Sequence, residues 1–410
     1  MPILPVGASA DAAVLFTTRG VRAFGDGLVS VVLPGYLVAF GLSGTQIGAV
    51  LTATLLGSAI LTLGVGLGGH QLDRRRILSV AALLMMATGL GFAVASSLAA
   101  LLVVGFVGTL NPSGGDVSIF LPTEQALLPA TAPDNQRTAL FGRYSLIGSG
   151  VAALGSLAAV VPGKIADFTG VSAVATQRGV MVLYAGLGVT VGLLYRRLSP
   201  AIEAESDRRS RVGLGPSKSI VYRLAALFSL DSLGGGFVVQ SLLALWLFRR
   251  FGLSVGTAGI IFFWSGLLSG VSALLAVRVA KRIGLVRTMV FTHLPANALL
   301  MLTPFLGDVR LAVGCLLARS VLSQMDVPAR TSYVMAVVTA AERPAAAAVT
   351  NVPRSLASAA APLGAGWLLD HTHFGWPLLL GGALKALYDL LLLRAFRHVR
   401  PPEEMATAAR

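Results

Sequence analysis

Runs of twenty or more apolar residues recur along the chain, separated by short clusters of Gly, Pro and charge. A run of that length crosses a hydrocarbon core of about 30 Å as a helix. The runs are continuous Leu, Ala, Val and Gly rather than strict polar–apolar alternation, which predicts helices and excludes a transmembrane barrel. Twelve helices are predicted, the first six at about 15–40, 45–69, 77–97, 99–127, 137–161 and 177–196. Six more follow at about 220–248, 256–279, 285–305, 309–337, 344–369 and 375–395. Between the two sets lies the hydrophilic stretch SPAIEAESDRRSRVGLGPSKS. The expected organisation is a six-helix bundle over 1–197, a linker over 198–219, a second bundle over 220–396 and a tail over 397–410.

Loop charge gives the orientation, because basic segments resist translocation. Arg74, Arg75, Arg76, Arg137, Arg196, Arg197, the basic link, Lys281, Arg282, Arg287, Arg343, Arg397 and Arg400 fall on one side, while the other carries few, among them Lys164, Arg249 and Arg250. Both termini and the link are therefore expected in the cytoplasm, which an even number of spans satisfies. The N-terminus lacks a basic leader and cleavage site, so the first helix is expected to act as the membrane address in the plasma (inner) membrane.

Composition agrees. Of 410 residues 55% are hydrophobic and 12% charged, against roughly 25% charged in soluble proteins. The net charge of +14 sits in loops without interleaved aromatics, so no nucleic-acid partner is expected. One cysteine, Cys315, lies in an apolar segment, and no disulfide framework, metal site or cofactor is expected.

The halves echo each other. Phe40-Gly41-Leu42-Ser43 recurs as Phe251-Gly252-Leu253-Ser254, and at nearly the same offset Gly48 falls on Gly259, Asp116 beside Asp326, and Arg143 on Arg354. Internal repetition of this kind marks transporter folds built around a central site.

Between the second and third helices stands Gly69-His70-Gln71-Leu72-Asp73-Arg74-Arg75-Arg76. It resembles the signature loop of the major facilitator superfamily, which reads Gly, three residues, Asp-Arg, then Gly and further basic residues; here the second Gly is missing. The counterpart between helices eight and nine keeps Lys281, Arg282, Gly284 and Arg287. The resemblance implies an all-α integral membrane fold of twelve helices in two pseudo-symmetric six-helix bundles that rock around a midplane cavity lined by helices one, four, seven and ten. The fifth helix has Leu146-Ile147-Gly148-Ser149-Gly150 where antiporter branches of that family carry a Gly-Pro motif. Physically, Asp73 can accept hydrogen bonds from a neighbouring helix N-terminus while Arg74, Arg75 and Arg76 hold the cytoplasmic edge, and with Gly69 and Asp73 in place the loop reads as a cytoplasmic gating latch.

A charged side chain in mid-bilayer costs about 2.5–3.5 kcal/mol on insertion scales, so such residues face a cavity or a partner. Arg19, Arg22, Asp26 and Ser30 share one face of the first helix; Arg319, Ser323, Asp326, Arg330 and Tyr333 form a stripe on the tenth. Helix four adds Asp116 and Glu124, helix five Arg143, helix seven Asp231 beside Gly234-Gly235-Gly236, and helix eleven Asn351 and Arg354. Two readings compete. Asp116 with Arg143, and Asp326 with Arg330 or Arg354, are fixed pairs or gates; or a buried carboxylate carries a proton, Asp26 and Asp231 being the candidates. Lys385 and Asp389, one turn apart, read as a local ion pair. The string Gly64, Gly66, Gly69 lacks the strand a dinucleotide fold needs and reads as helix packing.

No HExxH, G-x-S-x-G or P-loop is present, so neither an enzyme nor an ATP-driven pump is expected. The function expected is secondary active transport of a small organic solute by alternating access, monomeric and coupled to H+, with efflux by proton exchange placed first. Uptake of an organic anion with protons, suited to the buried arginines, and a nontransporting receptor on a transporter scaffold are the alternatives.

Overall fold

The computed structural model describes residues 4, 7–68, 73–113, 118–133, 136–204, 214–339 and 342–396. Among them the chain forms α-helices and short 3-10 turns, with no strand. In order the helices are α1 (Ala10–Ala39), α2 (Gly44–Gly68), α3 (Arg74–Val94), α4 (Leu98–Val107), α5 (Phe120–Leu127), α6 (Arg137–Ala158), α7 (Val160–Thr169), α8 (Ala173–Tyr195) and α9 (Ala201–Ala204). There follow α10 (Lys218–Phe237), α11 (Gln240–Phe251), α12 (Val255–Ile283), α13 (Leu285–Leu302), α14 (Val309–Leu322), α15 (Asp326–Ala336), α16 (Arg343–His371) and α17 (Trp376–Phe396).

Nine helical segments among the described residues are long and apolar enough to cross a membrane, α6 with α7 and α10 with α11 each counting as one. The remaining three of the twelve predicted spans correspond to α4 with α5, α14 with α15, and α16.

Three spans predicted as single helices are broken. Span four stops at Val107 and resumes at Phe120, because Pro112 offers no N–H and pushes Asn111 away from helical angles. Span ten is interrupted at Ser323–Met325 and restarts at Asp326, which places Pro328 in a first turn, where a missing N–H costs nothing. Its polar stripe is therefore shared between α14, with Arg319, and α15, with Asp326, Arg330 and Tyr333. Span seven breaks after Phe237, where three glycines followed by two valines are poor helix formers. Pro34 and Pro362, by contrast, lie inside continuous helices. Span five runs on through α7 to Gly170, whose φ of +71° ends it.

Contacts divide the chain into two compact units, residues 1–209 with 239–263, and 210–238 with 264–410. In the first, α1 packs on α6 and α8, and α3 on α8. In the second, α10 packs on α16 and α17, and α13 on α17. These are the same pairings at the same places in the two halves, the repeat that the sequence echo predicts. Glycine sets the closest approaches: a Cβ at Gly27 of α1 would fall on the Ala152 carbonyl of α6, and one at Gly155 on that of Phe24. In the second unit a Cβ at Gly236 would meet the Ser358 carbonyl, and one at Gly234 the Gly381 oxygen at 2.7 Å. Gly64 faces open space, so the packing role expected for its string does not hold there, and Gly69 lies outside the described residues.

Candidate functional site

In the first unit the stripe on α1 is buried along its length, with Arg19, Arg22, Asp26 and Ser30 all inside. Its centre is Glu124 of α5, fully buried. The carboxylate accepts from Thr18 Oγ1 (2.8 Å) and Tyr195 Oη (2.6 Å), and also from Arg22 Nη2 and Tyr144 Oη. A carboxylate has about four lone-pair sites, so α1, α6 and α8 fill those of a group supplied by α5. Arg22 also lies 4.4 Å from the centre of the Phe120 ring, a cation–π contact that keeps its charge favourable away from water.

Arg22 thus pairs with Glu124, a partner on another helix that spacing along α1 does not reveal. Asp26 receives the Tyr184 hydroxyl of α8 at 3.4 Å, a hydroxyl that also lies 3.2 Å from the Thr109 carbonyl. Farther along α1, Gln240 Nε2 donates to Ser30 Oγ (3.0 Å) and Ser156 Oγ (3.2 Å). Arg143 is half-buried on α6, and its expected partner Asp116 lies outside the described residues.

The second unit carries a denser cluster. Asp231 of α10 meets Lys385 Nζ at 2.7 Å, Arg330 Nη1 at 3.0 Å and His293 Nε2 at 3.9 Å. Arg330 also reaches Asp326 at 3.5 Å, so the expected Asp326–Arg330 pair is present. His293 Nδ1 lies 3.0 Å from Asp389, whose other oxygen accepts from Asn297 at 2.9 Å. Lys385 and Asp389 are consequently not each other's partners: both turn inward, Lys385 to α10 and Asp389 to α13. The glycine run of α10 makes this possible. A Cβ at Gly234 would stand 3.0 Å from Lys385 Cγ as well as against the Gly381 oxygen, so the bare backbone there lets α17 bring Lys385 close.

Arg354 of α16 does not pair with Asp326. Its Nε donates to Ser232 Oγ (3.2 Å) and its Nη1 to Asn351 Oδ1 (3.1 Å), both neutral. Arg354, Arg330, Asn351, Thr350 and Phe228 line a cavity of about 50 Å³. Of these residues, His293, Asn297, Tyr144, Tyr184 and Tyr195 escape sequence reasoning. The one signal available was spacing: His293 and Asn297, like Lys385 and Asp389, stand four apart on otherwise apolar helices.

At the start of α3, Asp73 caps its own helix by accepting from Arg75 N at 2.8 Å. Arg75 N also donates to Glu203 of α9 at 2.9 Å. Burial opposes the Asp73 charge, but hydrogen bonds from Glu203 and the Arg75 and Arg76 amides outweigh it and hold the carboxyl below its ordinary range. Burial, with Asp73 alongside, pushes Glu203 up. Arg76 approaches Asp73 at only 3.9 Å and is largely exposed, and Arg74 is half-buried beside it.

A third carboxylate, Glu342, ties the start of α10 to the loop before α16. It accepts from Thr339 Oγ1 (2.7 Å), Ser217 Oγ (2.8 Å) and Gly215 N (2.6 Å), which lower it from 4.5 to about 2. A depressed carboxyl contributes stability that is complete above its unfolded value and is lost as pH falls toward its folded one. The melting temperature in detergent is therefore expected to fall between about pH 4.5 and 2, with Glu342→Gln less stable at pH 7 and flatter over that window; equal slopes would refute the linkage.

Comparison places these features. The sequence profile described as Major Facilitator Superfamily matches residues 15–230 and 224–410. The uncharacterized membrane protein YJR124C of Saccharomyces cerevisiae is 23% identical over 423 residues, 95% of this chain and 94% of its own. The nucleoside transporter NupG superposes with a TM-score of 0.74 at 13% identity, over 95% of this chain and 100% of that one. The xylose transporter XylE from E. coli gives 0.69 at 12%, over 96% and 99%. The human organic anion transporter MFSD10 gives 0.63 at 17%, over 93% and 98%. At such identities the superpositions speak for the fold. The profile covers nearly the whole chain, and on that ground this multi-pass membrane protein belongs to the Major Facilitator Superfamily.

Proposed function

We propose that the chain is a proton-coupled secondary active transporter, moving a small organic solute through the inner membrane by alternating access, with the two bundles 1–197 and 220–396 as the moving bodies and both termini in the cytoplasm. The observation that carries the reading is the buried series Asp231, His293 and Asp389. His293 stands between the two carboxylates, one ring nitrogen toward each. An imidazole can take a proton on one nitrogen and release it from the other, so the series offers a route by which a proton reaches or leaves Asp231. Lys385 and Arg330 then bind Asp231 only while it is charged, which ties its protonation to the packing of α10 against α15 and α17. The saturated Glu124 cluster we assign to a fixed role, holding the first bundle together.

The test uses purified protein in liposomes loaded with a pH-sensitive dye and challenged with pooled organic anions, cations, sugars and nucleosides. Wild-type protein is expected to move protons only when a transported solute is present. His293→Gln is expected to lose that proton signal while keeping solute counterflow. Solute uptake with a flat dye trace would remove proton coupling, and folded protein that moves no solute would remove the transporter reading.

A further inference from the structure

Within helices α10 and α13–α17 of the second unit more positive than negative charge is buried or half-buried, while Glu342, buried just ahead of α16, is taken up by Ser217 and Thr339. Among the described residues the charged side chains that are not exposed within α10 and α13–α17 are Arg319, Arg330, Arg354 and Lys385 against Asp231, Asp326 and Asp389, with His293 in addition. Arg330 and Lys385 are held by carboxylates, and Asp389 is engaged by His293 and Asn297. Among the described residues no carboxylate lies within ion-pairing distance of Arg319 or Arg354. The Nε of Arg319 is buried without a hydrogen-bond partner, and Arg354 is held by a hydroxyl and an amide oxygen. Uncompensated charge away from water is costly; its presence calls for a counter-anion that the described residues do not supply.

Arg354 is placed to receive one. Ser232 and Asn351 orient its guanidinium from α10 and from its own helix without neutralising it, and the cavity beside it holds a second guanidinium, that of Arg330. At about 50 Å³ the cavity has room for one or two waters, or for an acidic group in their place. Thr350 and Asn351 add polar lining, and Phe228 gives an apolar wall. A planar fork presenting two N–H groups is suited to a carboxylate, phosphate or sulfonate.

Building on the transporter reading, we infer that the solute is an organic anion whose acidic group binds Arg354 in the cleft between α10, α15 and α16, and that it crosses together with a proton. The direction follows from charge. Asp231 faces Lys385 on α17, His293 on α13 and Arg330 on α15, with Asp326, Arg319, Arg354, Asp389 and Tyr388 around them. Protonating Asp231 deletes a negative charge and leaves Lys385 without its carboxylate and Arg330 with Asp326 alone, so the potential at Arg354 becomes more positive and the anion binds better. Linkage is reciprocal, so the bound anion raises proton affinity in turn. A cation gains nothing from either event.

The experiment reads binding and transport together. Thermal shift of purified protein and proteoliposome uptake are measured with benzoate, citrate, glucose 6-phosphate and estrone sulfate as anions, xylose and uridine as neutral solutes, and tetraphenylphosphonium as a cation. At least one anion is expected to stabilise the wild type, more strongly at acidic pH, and to acidify the liposome lumen as it enters. Arg354→Gln is expected to weaken that anion about 10- to 100-fold in the thermal shift as well as in uptake, with Arg354→Lys intermediate. Size-exclusion chromatography serves as the check on folding. Should Arg354→Gln fail to fold, Asn351→Leu, which leaves the charge and removes one of its holders, is expected to raise the anion's KM with kcat less affected. Proton-coupled movement of a neutral or cationic solute, with no anion bound or moved, overturns this inference while leaving the transporter reading intact. Anion affinity unchanged by Arg354→Gln also overturns it, as does alkalinisation during anion entry. If nothing in the panel moves or binds, the transporter reading falls and this inference with it.

Discussion

Asp231→Asn is expected to give a protein whose melting point in detergent is several degrees below wild type and whose proton-coupled flux is absent. The substitution preserves size but removes the charge that faces Lys385 at 2.7 Å and Arg330 at 3.0 Å. Arg330 keeps Asp326 at 3.5 Å; among the described residues Lys385 has no other carboxylate within ion-pairing distance. Breaking a buried pair from one side costs about 3–5 kcal/mol, because the surviving charge stays buried, whereas replacing both partners by apolar groups is often neutral. The double variant Asp231→Asn with Lys385→Met is therefore expected to recover most of the lost stability and none of the proton coupling. Melting curves and the dye assay on the same preparations check both halves. A single variant as stable as wild type would show that Asp231 is not held as an ion pair.

Loss of Glu124 is expected to be comparably severe for the first unit, and to act on stability rather than on coupling. Glu124→Leu leaves Arg22 buried and without its carboxylate, and takes the acceptor from Thr18, Tyr144 and Tyr195. The charge accounts for about 3–5 kcal/mol and each stranded hydroxyl for about 1–3 kcal/mol, enough to prevent recovery of monodisperse protein. Tyr144→Phe and Tyr195→Phe remove donors singly and are expected to cost about 1 kcal/mol each. Arg22→Met on the Glu124→Leu background is expected to restore folding in part, the coupling between neighbours that a double-mutant cycle measures. Glu124→Leu protein with wild-type yield and melting point would show that the four contacts do not bear on stability.

The helices were legible because each is a long apolar run, and the repeat because the same charged and small residues recur at one offset. The breaks in spans four, seven and ten were harder to read. A Pro within an apolar stretch is carried inside a helix in one place and ends it in another, as Pro34 and Pro112 do here, and the outcome depends on which neighbours satisfy the freed backbone. The site divides in the same way. Positions on one helix face, such as Arg22 with Asp26 and Asp326 with Arg330, follow from a period of 3.6 residues, and their burial was correctly expected. Partnership was not, wherever it crosses between helices. Arg22 reaches a carboxylate 102 residues distant, and Lys385 turns from the one a turn away to one 154 residues distant. Spacing carries local geometry alone, whereas the choice of partner is set by which helices pack, and by glycines such as Gly234 that let them approach.

The order in which the chain is made gives these long separations a second meaning. Membrane segments emerge from the ribosome N-terminus first, at about 5–20 residues per second. Arg22 and Glu124 can meet as soon as the fourth span is inserted, while Tyr195, the last donor to Glu124, arrives with the sixth. The first unit can therefore complete its central polar cluster before the second has begun. Asp231 has no such early relief: Arg330 comes 99 residues later and Lys385 later still. A nascent chain halted between helices α15 and α17 would hold Asp231 with Arg330 but without its lysine, so the final span closes the second unit electrostatically as well as sterically. Quality-control proteases that extract unpaired charges from the bilayer would find their substrate in chains that stop short of Lys385.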